Sequence, residues 1–217
     1  MNHDAKLIVF DWDGTLMDSA AHIVSCLQSA ISELNLAPKT NAEVKNIIGL
    51  GLREALLALY PQATNAELTA LVEQYRQHFF DQQSDPCELF LGAKELIKEL
   101  DAKNYYLAVA TGKGRKGLDK VLSETGMEKF FPITRCADEA HSKPHPKMML
   151  DIINYYGVES NDAIMVGDTE YDLQMANNAA AHSVAVSYGV HEKQRLLDCK
   201  PLTCLDSMND LHEWLLN

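Results

Sequence analysis

The chain contains five short runs of mostly consecutive apolar residues, and the segments between them have apolar residues at helical spacing. The runs are Leu7–Phe10, Tyr106–Thr111, Phe130–Thr134, Ala163–Val166 and Ser183–Val186. A continuous apolar run, unlike an alternating one, predicts a strand buried on both faces, as in a parallel sheet covered by helices. Helices are predicted between the runs at Gly92–Leu100, Gly114–Thr125, Pro146–Tyr156 and Asp172–Asn178. The pattern therefore predicts an α/β fold built on a doubly wound parallel sheet.

The first two predicted strands are separated by an insertion. The segment from Phe10 to Tyr106 is far longer than the roughly 12 residues that a crossover connection needs. Apolar residues recur at helical spacing in four parts of it: 19–36, Asn41–Ile48, Leu52–Leu59 and Ala66–Phe80. We therefore expect a small helical cap domain at residues 18–87 and an α/β core domain at 1–17 and 88–217. The prolyl segment Ser84–Pro86 is the predicted return linker.

Composition and charge narrow the class of protein. Of the 217 residues, 47% are hydrophobic and 23% are charged, which is typical of a folded globular chain. The formal net charge of -12 argues against binding to nucleic acid or to an anionic membrane, because both rest on basic surface. The five cysteines are scattered, no signal peptide precedes Leu7, and no apolar stretch approaches the roughly 20 residues of a membrane span. We expect a cytoplasmic protein.

Polar motifs follow four of the predicted strands. In chain order they are Asp11-x-Asp13-Gly14-Thr15, Thr111-Gly112, Ser142-Lys143-Pro144 and Gly167-Asp168-Thr169-x-x-Asp172. Ligands of open parallel sheets bind at the carboxyl ends of the strands, so we expect these motifs to converge. Clustered carboxylates repel one another unless a cation neutralises them, and an all-oxygen set at Asp11 and Asp168 suits Mg²⁺. Thr111-Gly112 predicts an anion site at a helix start, and Lys143 adds a positive charge.

The four motifs, in this order and each at a predicted strand end, resemble those of the haloacid dehalogenase-like superfamily of phosphotransferases. The helical insertion after the first motif is similar to the cap of the phosphoglycolate phosphatase-like and β-phosphoglucomutase-like branch. The resemblance implies a Rossmann-like core and a Mg²⁺-dependent phosphatase that hydrolyses a small-molecule phosphate ester. The substrates that it suggests are phosphoglycolate-like esters, sugar phosphates and nucleotide monophosphates. We expect a monomer or a weak homodimer without a nucleic-acid or membrane partner.

The resemblance also assigns roles to individual residues. Asp11 would be the nucleophile that forms an aspartyl-phosphate. Asp13 would protonate the leaving alkoxide and then take a proton from water. The metal ligands would be Asp11, the backbone carbonyl of Asp13, and Asp168. The phosphoryl group would be bound by Thr15, Thr111, Gly112 and Lys143. Asp172 would hold Lys143 or a bound water.

Specificity is expected to come from the cap. The loop Ile48–Arg53 contains two glycines that let backbone approach a ligand, and Arg53 could pair with an anionic leaving group. The alternative is a plain helix–helix turn whose arginine faces water. Lys113 and Arg115 could likewise touch the leaving group or be ordinary surface charges. Asp18 and Ser19 are predicted to form the exit hinge and helix cap where the chain leaves the core.

Three other functions are compatible with parts of the sequence. Mutases of the same branch usually carry Glu-Asp in the fourth motif, whereas Gly167-Asp168 stands here, as in hydrolases. A regulator without activity is disfavoured because all the key acids are present. The segment Gly112-x-Gly114-x-x-Gly117, followed about 20 residues later by Asp138, fits a dinucleotide fingerprint and hence an oxidoreductase. That interpretation leaves the first, third and fourth motifs unexplained.

Overall fold

The computed structural model describes residues 5–80 and 87–216. Its strands are β1 (Leu7–Phe10), β2 (Met17–Asp18), β3 (Glu88–Leu89), β4 (Tyr106–Thr111), β5 (Ile133–Cys136), β6 (Ala163–Gly167), β7 (His182–Val186) and β8 (Cys204–Leu205). Its α-helices are α1 (Ala20–Glu33), α2 (Asn41–Asn46), α3 (Leu52–Leu59), α4 (Asn65–Phe80), α5 (Ala93–Ala102), α6 (Arg115–Thr125), α7 (Lys147–Tyr156), α8 (Glu170–Asn178), α9 (Lys193–Asp198) and α10 (Met208–Leu216).

A six-stranded parallel sheet in the order β5-β4-β1-β6-β7-β8 forms the centre of the molecule. β1 lies between β4 and β6, so that Val9 pairs with Ala108 on one side and with Met165 on the other. Every residue of β1 and β6 is buried because helices cover both faces of the sheet. The strand order reverses beside β1, which places a ligand crevice at the carboxyl ends of β1 and its neighbours. The predicted α/β fold is confirmed.

One predicted strand has wrong limits, and several elements were not predicted. Residues Glu128–Phe130 form a 3₁₀ helix, and the strand that was predicted at Phe130–Thr134 runs over Ile133–Cys136 instead. The apolar side chains of Phe130 and Phe131 pack in the core and do not mark a strand. Phe131 contacts Trp12 edge-on there, with ring centroids 6.3 Å apart. Pro132 separates them from the strand and has no backbone N–H to donate to a sheet ladder. The pattern did not reveal β2, β3, β8, α9 and α10.

The inserted segment forms a bundle of helices, α1 to α4, between the strands β2 and β3. These two strands pair antiparallel, with Met17 opposite Leu89, and so hold the two ends of the insertion together. The bundle has an apolar cluster of its own that includes Leu27, Val44 and Leu56. The predicted linker Ser84–Pro86 lies outside the described residues.

The cap loop after α2 lies directly on the core at the carboxyl ends of the strands. The Gly51 amide donates to Ser142 Oγ at 2.7 Å, and the Tyr171 hydroxyl donates to the Asn46 carbonyl at 3.0 Å. A Cβ added at Gly112 would lie only 2.4 Å from the Leu50 carbonyl oxygen, so the cap backbone touches the second motif. The cap therefore covers the crevice at the edge of the sheet. In the described part of the chain, the helices are too short or too polar to cross a bilayer.

Adjacent leucines of α3 provide a test of the packing in the cap. Leu56 is fully buried in the cap cluster, whereas Leu57 is 47% exposed on the same helix. Leu56→Ala is expected to lower the free energy of unfolding by about 2–5 kcal/mol, because it leaves a cavity among close-packed side chains. Leu57→Ala is the matched control and should change it by less than about 0.5 kcal/mol. Urea denaturation measures both values, and equal losses would show that α3 does not pack as described.

Candidate active site

The turn after β1 brings the first motif under the fourth. The amides of Leu16 and Met17 both donate to the Trp12 carbonyl at 3.0 Å, so the chain folds back immediately after the strand. Gly14 has a φ of +85°, a conformation that side chains disfavour, and a Cβ there would lie 2.2 Å from Asp168 Oδ2. Glycine is therefore required at this position both by the backbone conformation and by the close approach of Asp168.

Three carboxylates converge at the carboxyl ends of β1 and β6. Asp11, Asp168 and Asp172 are each almost completely buried, and one oxygen of each lies within 4.8 Å of the others. The Lys143 ammonium, also buried, lies 2.9 Å from Asp11 Oδ1 and 2.5 Å from Asp172 Oδ1. The structure thus brings together the first, third and fourth motifs, as the sequence predicts for residues at neighbouring strand ends.

Burial and mutual repulsion shift the proton affinity of these acids. Desolvation raises the pKa of Asp11 to about 7, and the charges of Asp172 and Asp13 add to this, although Lys143 opposes it. Desolvation and the Asp11 charge also raise the pKa of Asp168 well above its usual value. Burial on its own would lower the pKa of Lys143, but the carboxylates of Asp11 and Asp172 raise it overall. Lys143 therefore stays positively charged, but its one charge does not neutralise the three neighbouring carboxylates.

The oxygens of Asp172 already have protein partners. Oδ1 accepts from Lys143, and Oδ2 accepts from the Thr169 hydroxyl at 2.6 Å and the Thr169 amide at 3.1 Å. The bond from the Thr169 amide belongs to the capping box that starts α8, whose other half is the Asp172 amide donating to Thr169 Oγ1. Asp172 therefore holds Lys143 in place and ties it to the helix.

Asp11 and Asp168 are better suited to bind a metal. Both side-chain oxygens of Asp11 are buried and accept no hydrogen bond of ordinary geometry in the described residues, although Lys143 lies near one of them. Asp168 accepts from Thr15 Oγ1 and from the Val190 amide, both at 2.8 Å, which fixes its orientation toward Asp11. Buried carboxylate oxygens without softer ligands fit a hard divalent cation such as Mg²⁺. The residues present therefore fit the predicted cofactor.

Asp13 lies apart from this cluster and has its own partners. Ser19 Oγ donates to Asp13 Oδ1 at 2.6 Å, and Lys113 Nζ lies 3.0 Å from the same oxygen. The side chains of Lys113 and Asp13 are only 6% and 10% exposed. Ser19 is the N-cap residue of α1, as predicted, but its hydroxyl binds Asp13 and makes no capping hydrogen bond to the helix amides.

The remaining predicted site residues lie around the same crevice. Thr15 donates its hydroxyl to Asp168, and the Thr111 hydroxyl accepts from the Lys113 amide at 3.1 Å. Thr111, Gly112 and Arg53 line one cavity together with Asp11 and Asp13. Arg53 comes from α3 of the cap, and its guanidinium donates to Asn65 Oδ1 at 2.7 Å.

The structure shows different contacts for Arg115 and Lys113, the two basic residues whose role the sequence left open. Arg115 binds Glu139 and Asp119, at 2.7 and 3.1 Å, and is a surface charge. Lys113 points inward to Asp13, and its ammonium lies 4.4 Å from the ring centroid of Phe79 on cap helix α4. Sequence patterns could not have assigned Ser19 and Lys113 to Asp13, because their contacts arise only from the folded turn and cap.

The dinucleotide interpretation finds no support in the loop after β4. Both carboxylate oxygens of Asp138 accept from the Arg115 amide, at 3.0 and 3.1 Å, so this acid binds the start of α6. The glycine that begins the fingerprint, Gly112, is covered by the cap backbone at Leu50.

Comparison with known proteins places the chain in a family. The sequence pattern described as "Haloacid dehalogenase-like hydrolase" matches residues 8–186. A Dickeya dadantii protein named "Probable phosphatase IndB" is 33% identical over 211 residues, which cover 94% of this chain and 91% of that protein. A "Phosphoglycolate phosphatase" of Agrobacterium fabrum is 30% identical over 190 residues, covering 85% and 82%.

Solved structures agree with the fold. The crystal structure of a hydrolase from Pseudomonas syringae superimposes with a TM-score of 0.89 at 23% identity, and covers 97% of each chain. The predicted resemblance and the prediction of an enzyme are confirmed. Since the family match includes the first, second, third and fourth motifs, the chain belongs to the haloacid dehalogenase-like hydrolase family.

Proposed function

We propose that this protein is a Mg²⁺-dependent phosphatase that hydrolyses a small-molecule phosphomonoester through an aspartyl-phosphate on Asp11. The observation that carries the proposal is the setting of Asp11: its two carboxylate oxygens are buried and accept no hydrogen bond of ordinary geometry from residues 5–80 and 87–216, and the Lys143 ammonium lies 2.9 Å from Oδ1. A buried carboxylate can act as a nucleophile, and the positive charge of the neighbouring lysine can stabilise the transferring phosphoryl group. The names of the two relatives above, both phosphatases, support the proposal.

Two residues of the first motif divide the reaction between them. An Asp11 oxygen attacks phosphorus and the bond to the leaving oxygen breaks, while Asp13 gives that oxygen a proton. Asp13 then takes a proton from the water that attacks the aspartyl-phosphate, and phosphate leaves as the Asp11 carboxylate is restored. Lys143 stays charged throughout and balances negative charge on the phosphoryl oxygens.

Asp11 and Asp168 would hold the magnesium ion, with the backbone carbonyl of Asp13. When bound, the ion would neutralise these carboxylates and offset charge on the phosphoryl oxygens. The protein contributes the orientation of this site, since Thr15 and the Val190 amide fix Asp168 and the turn at Gly14 lets Asp168 approach.

A mutase has less support from this structure. The position before Asp168 is Gly167, where an added Cβ would lie 2.3 Å from the Asp172 Cβ. The glutamate that mutases of this branch usually carry there would displace Asp172 and so disturb its contact with Lys143. The packing around the fourth motif therefore suits the glycine found in hydrolases and not that glutamate.

Removal of the nucleophile is the first test. Asp11→Asn should lower the rate of Mg²⁺-dependent phosphate release by at least about a thousandfold, because the amide cannot form the intermediate. Asp18→Asn is the matched control, since Asp18 belongs to the same segment but is exposed. A phosphate-release assay over a panel of phosphomonoesters measures both. Undiminished turnover by Asp11→Asn, or no turnover of any ester by the wild type, would contradict the proposal.

Metal binding should stabilise the protein most at alkaline pH. The raised pKa values of Asp11 (about 7) and Asp168 mean that the metal-free folded state keeps protons that the unfolded state loses, so its stability falls as pH rises from about 4 through about 7. Mg²⁺ competes with these protons. Excess Mg²⁺ should therefore raise the thermal unfolding midpoint clearly at about pH 8 and little at about pH 5.5.

Two variants control this measurement. Asp168→Asn should lose the Mg²⁺ effect, and Asp101→Asn, which changes an exposed carboxylate outside the site, should keep it. If Mg²⁺ raised the unfolding midpoint equally at both pH values, or still raised it in Asp168→Asn, the metal would bind elsewhere.

Lys113 provides a test of the proton donor. Because Lys113 contacts Asp13, Lys113→Met should misplace the group that protonates the leaving oxygen. The loss in kcat should be about 100-fold for an alkyl phosphate, but less than about tenfold for 4-nitrophenyl phosphate, whose leaving group needs little protonation. Lys120→Met, which removes a lysine from the following helix α6, should leave both rates unchanged. Equal losses on the two substrates would show that Lys113 does not act through Asp13.

A further inference from the structure

A large cavity connects the acidic cluster to the cap. Its volume is about 790 Å³, and it extends from Asp11 and Asp13 to the helix α4. Cavities of roughly 300–1,000 Å³ commonly hold drug-sized ligands. The phosphate of a substrate must lie at Asp11, so most of this volume is left for the alcohol part of the ester. A two-carbon alcohol such as glycolate would leave much of it filled with water.

The cap side of this cavity is largely apolar. Its wall includes Ile23 of α1, Leu50 of the cap loop, and Val72, Tyr75 and Phe79 of α4. All five side chains are only partly buried, although they pack against or beside the cap interior. Covering such apolar surface with a ligand gains free energy in proportion to the area removed from water. The wall therefore suits an apolar body better than a polar one.

The aromatic part of this wall is held in place by its neighbours. The Phe79 ring stacks near Tyr75, with centroids 5.7 Å apart, and lies 5.3 Å from the His22 ring. The Lys113 ammonium lies 4.4 Å from the Phe79 centroid and 3.0 Å from Asp13. Lys113 therefore connects the aromatic wall to Asp13, the group assigned to protonate the leaving oxygen. A wall fixed before binding costs a ligand little ordering entropy.

The cations near the cavity already have partners or lie in water. Lys113 is paired with Asp13, Arg53 donates to Asn65, and the Lys116 ammonium lies 4.9 Å from the Phe80 centroid. Arg76 also lines the cavity, but it is exposed on α4, where water screens an ion pair. A small acid such as glycolate would have to compete with these partners for a counter-charge. Arg53 and Lys116 have uncharged partners, so the positive charge near the cavity does not by itself distinguish a small carboxylate from a larger ester.

We propose that the natural substrate is the phosphate ester of an alcohol that carries a flat, apolar ring, and that Tyr75 and Phe79 form the wall that binds this ring. The inference rests on the proposed phosphatase function and concerns only the part of the substrate beyond the phosphate. The ring can belong to a nucleoside or to a simpler aromatic alcohol, since both present a flat apolar face.

A substrate panel on the wild-type enzyme tests this directly. Benzyl phosphate, a nucleoside 5′-monophosphate, glycerol 3-phosphate and 2-phosphoglycolate all release alkoxide-type leaving groups, so differences among them report mainly on binding. The kcat/KM of at least one ring-bearing ester should exceed those of both small esters by about tenfold or more. A preference for the nucleotide over benzyl phosphate would identify a nucleoside as the source of the ring, and the reverse order a simpler alcohol.

Failures of the two proposals can be told apart. If no ester in the panel releases phosphate, the proposed function itself fails. If 2-phosphoglycolate or glycerol 3-phosphate is the best substrate, the enzyme is a phosphatase and only the ring inference is overturned.

Substitutions in the wall locate the ring. Phe79→Ala should lower the ratio of kcat/KM for benzyl phosphate to that for glycerol 3-phosphate by about tenfold, and Phe79→Leu, which keeps apolar bulk, by less. Tyr155→Ala is the control, since it removes an aromatic ring that is 57% exposed on α7, outside the cavity, and it should leave the ratio unchanged. An unchanged ratio in Phe79→Ala would overturn the assignment of the wall.

A measurement on the wild type covers the case in which Phe79→Ala does not fold. The product alcohol should compete with substrate, and benzyl alcohol should inhibit at a concentration at least about tenfold lower than glycerol. Equal inhibition by the two alcohols would overturn the inference.

Discussion

The burial of like charges at the end of the sheet is the constraint on which the rest of the site depends. Asp11, Asp168 and Asp172 share one buried space with the ammonium group of Lys143. When all are ionised, three negative charges face one positive charge; burial raises the pKa values of Asp11 and Asp168, and the repulsion between the carboxylates adds to this. Such an arrangement lowers the stability of the fold unless cations occupy it, and this is what a site for a divalent metal and a phosphoryl group requires.

Much of the surrounding structure holds these groups in place. Gly14 lets the turn pass next to Asp168, Thr15 and Val190 orient that carboxylate, and the capping box of α8 fixes Asp172 against Lys143. The cap completes the site from the other side. Its loop touches the second motif, and its helix α4 places Phe79 over Lys113, which contacts Asp13. Asp13 is therefore positioned by the core and the cap together, so a change in cap position would be felt by the group that handles protons.

The sequence predicted the fully buried strands well, but it predicted poorly the contacts between residues that are far apart in the chain. The strands β1, β4 and β6 are almost wholly buried, so their apolar runs identify them and place the first, second and fourth motifs at their ends. The run that starts at Phe130 predicted wrong limits for the strand. Its two aromatic residues lie at the end of a 3₁₀ helix, before Pro132, and are apolar because they pack in the core. The two-residue strands β2, β3 and β8 are too short to leave a pattern. The contacts of Ser19 and Lys113 with Asp13, like the aromatic wall of the cavity, depend on how separate segments meet, which local spacing does not encode.

The central claim is that the buried carboxylate of Asp11 attacks phosphorus and is then released by water. The most direct measurement is the stereochemical course at phosphorus, followed with an ester whose phosphoryl group is made chiral by oxygen isotopes and sulfur. Two successive in-line displacements, one by Asp11 and one by water, predict overall retention of configuration. Inversion would mean that water attacks the ester directly, and it would contradict the role assigned to Asp11.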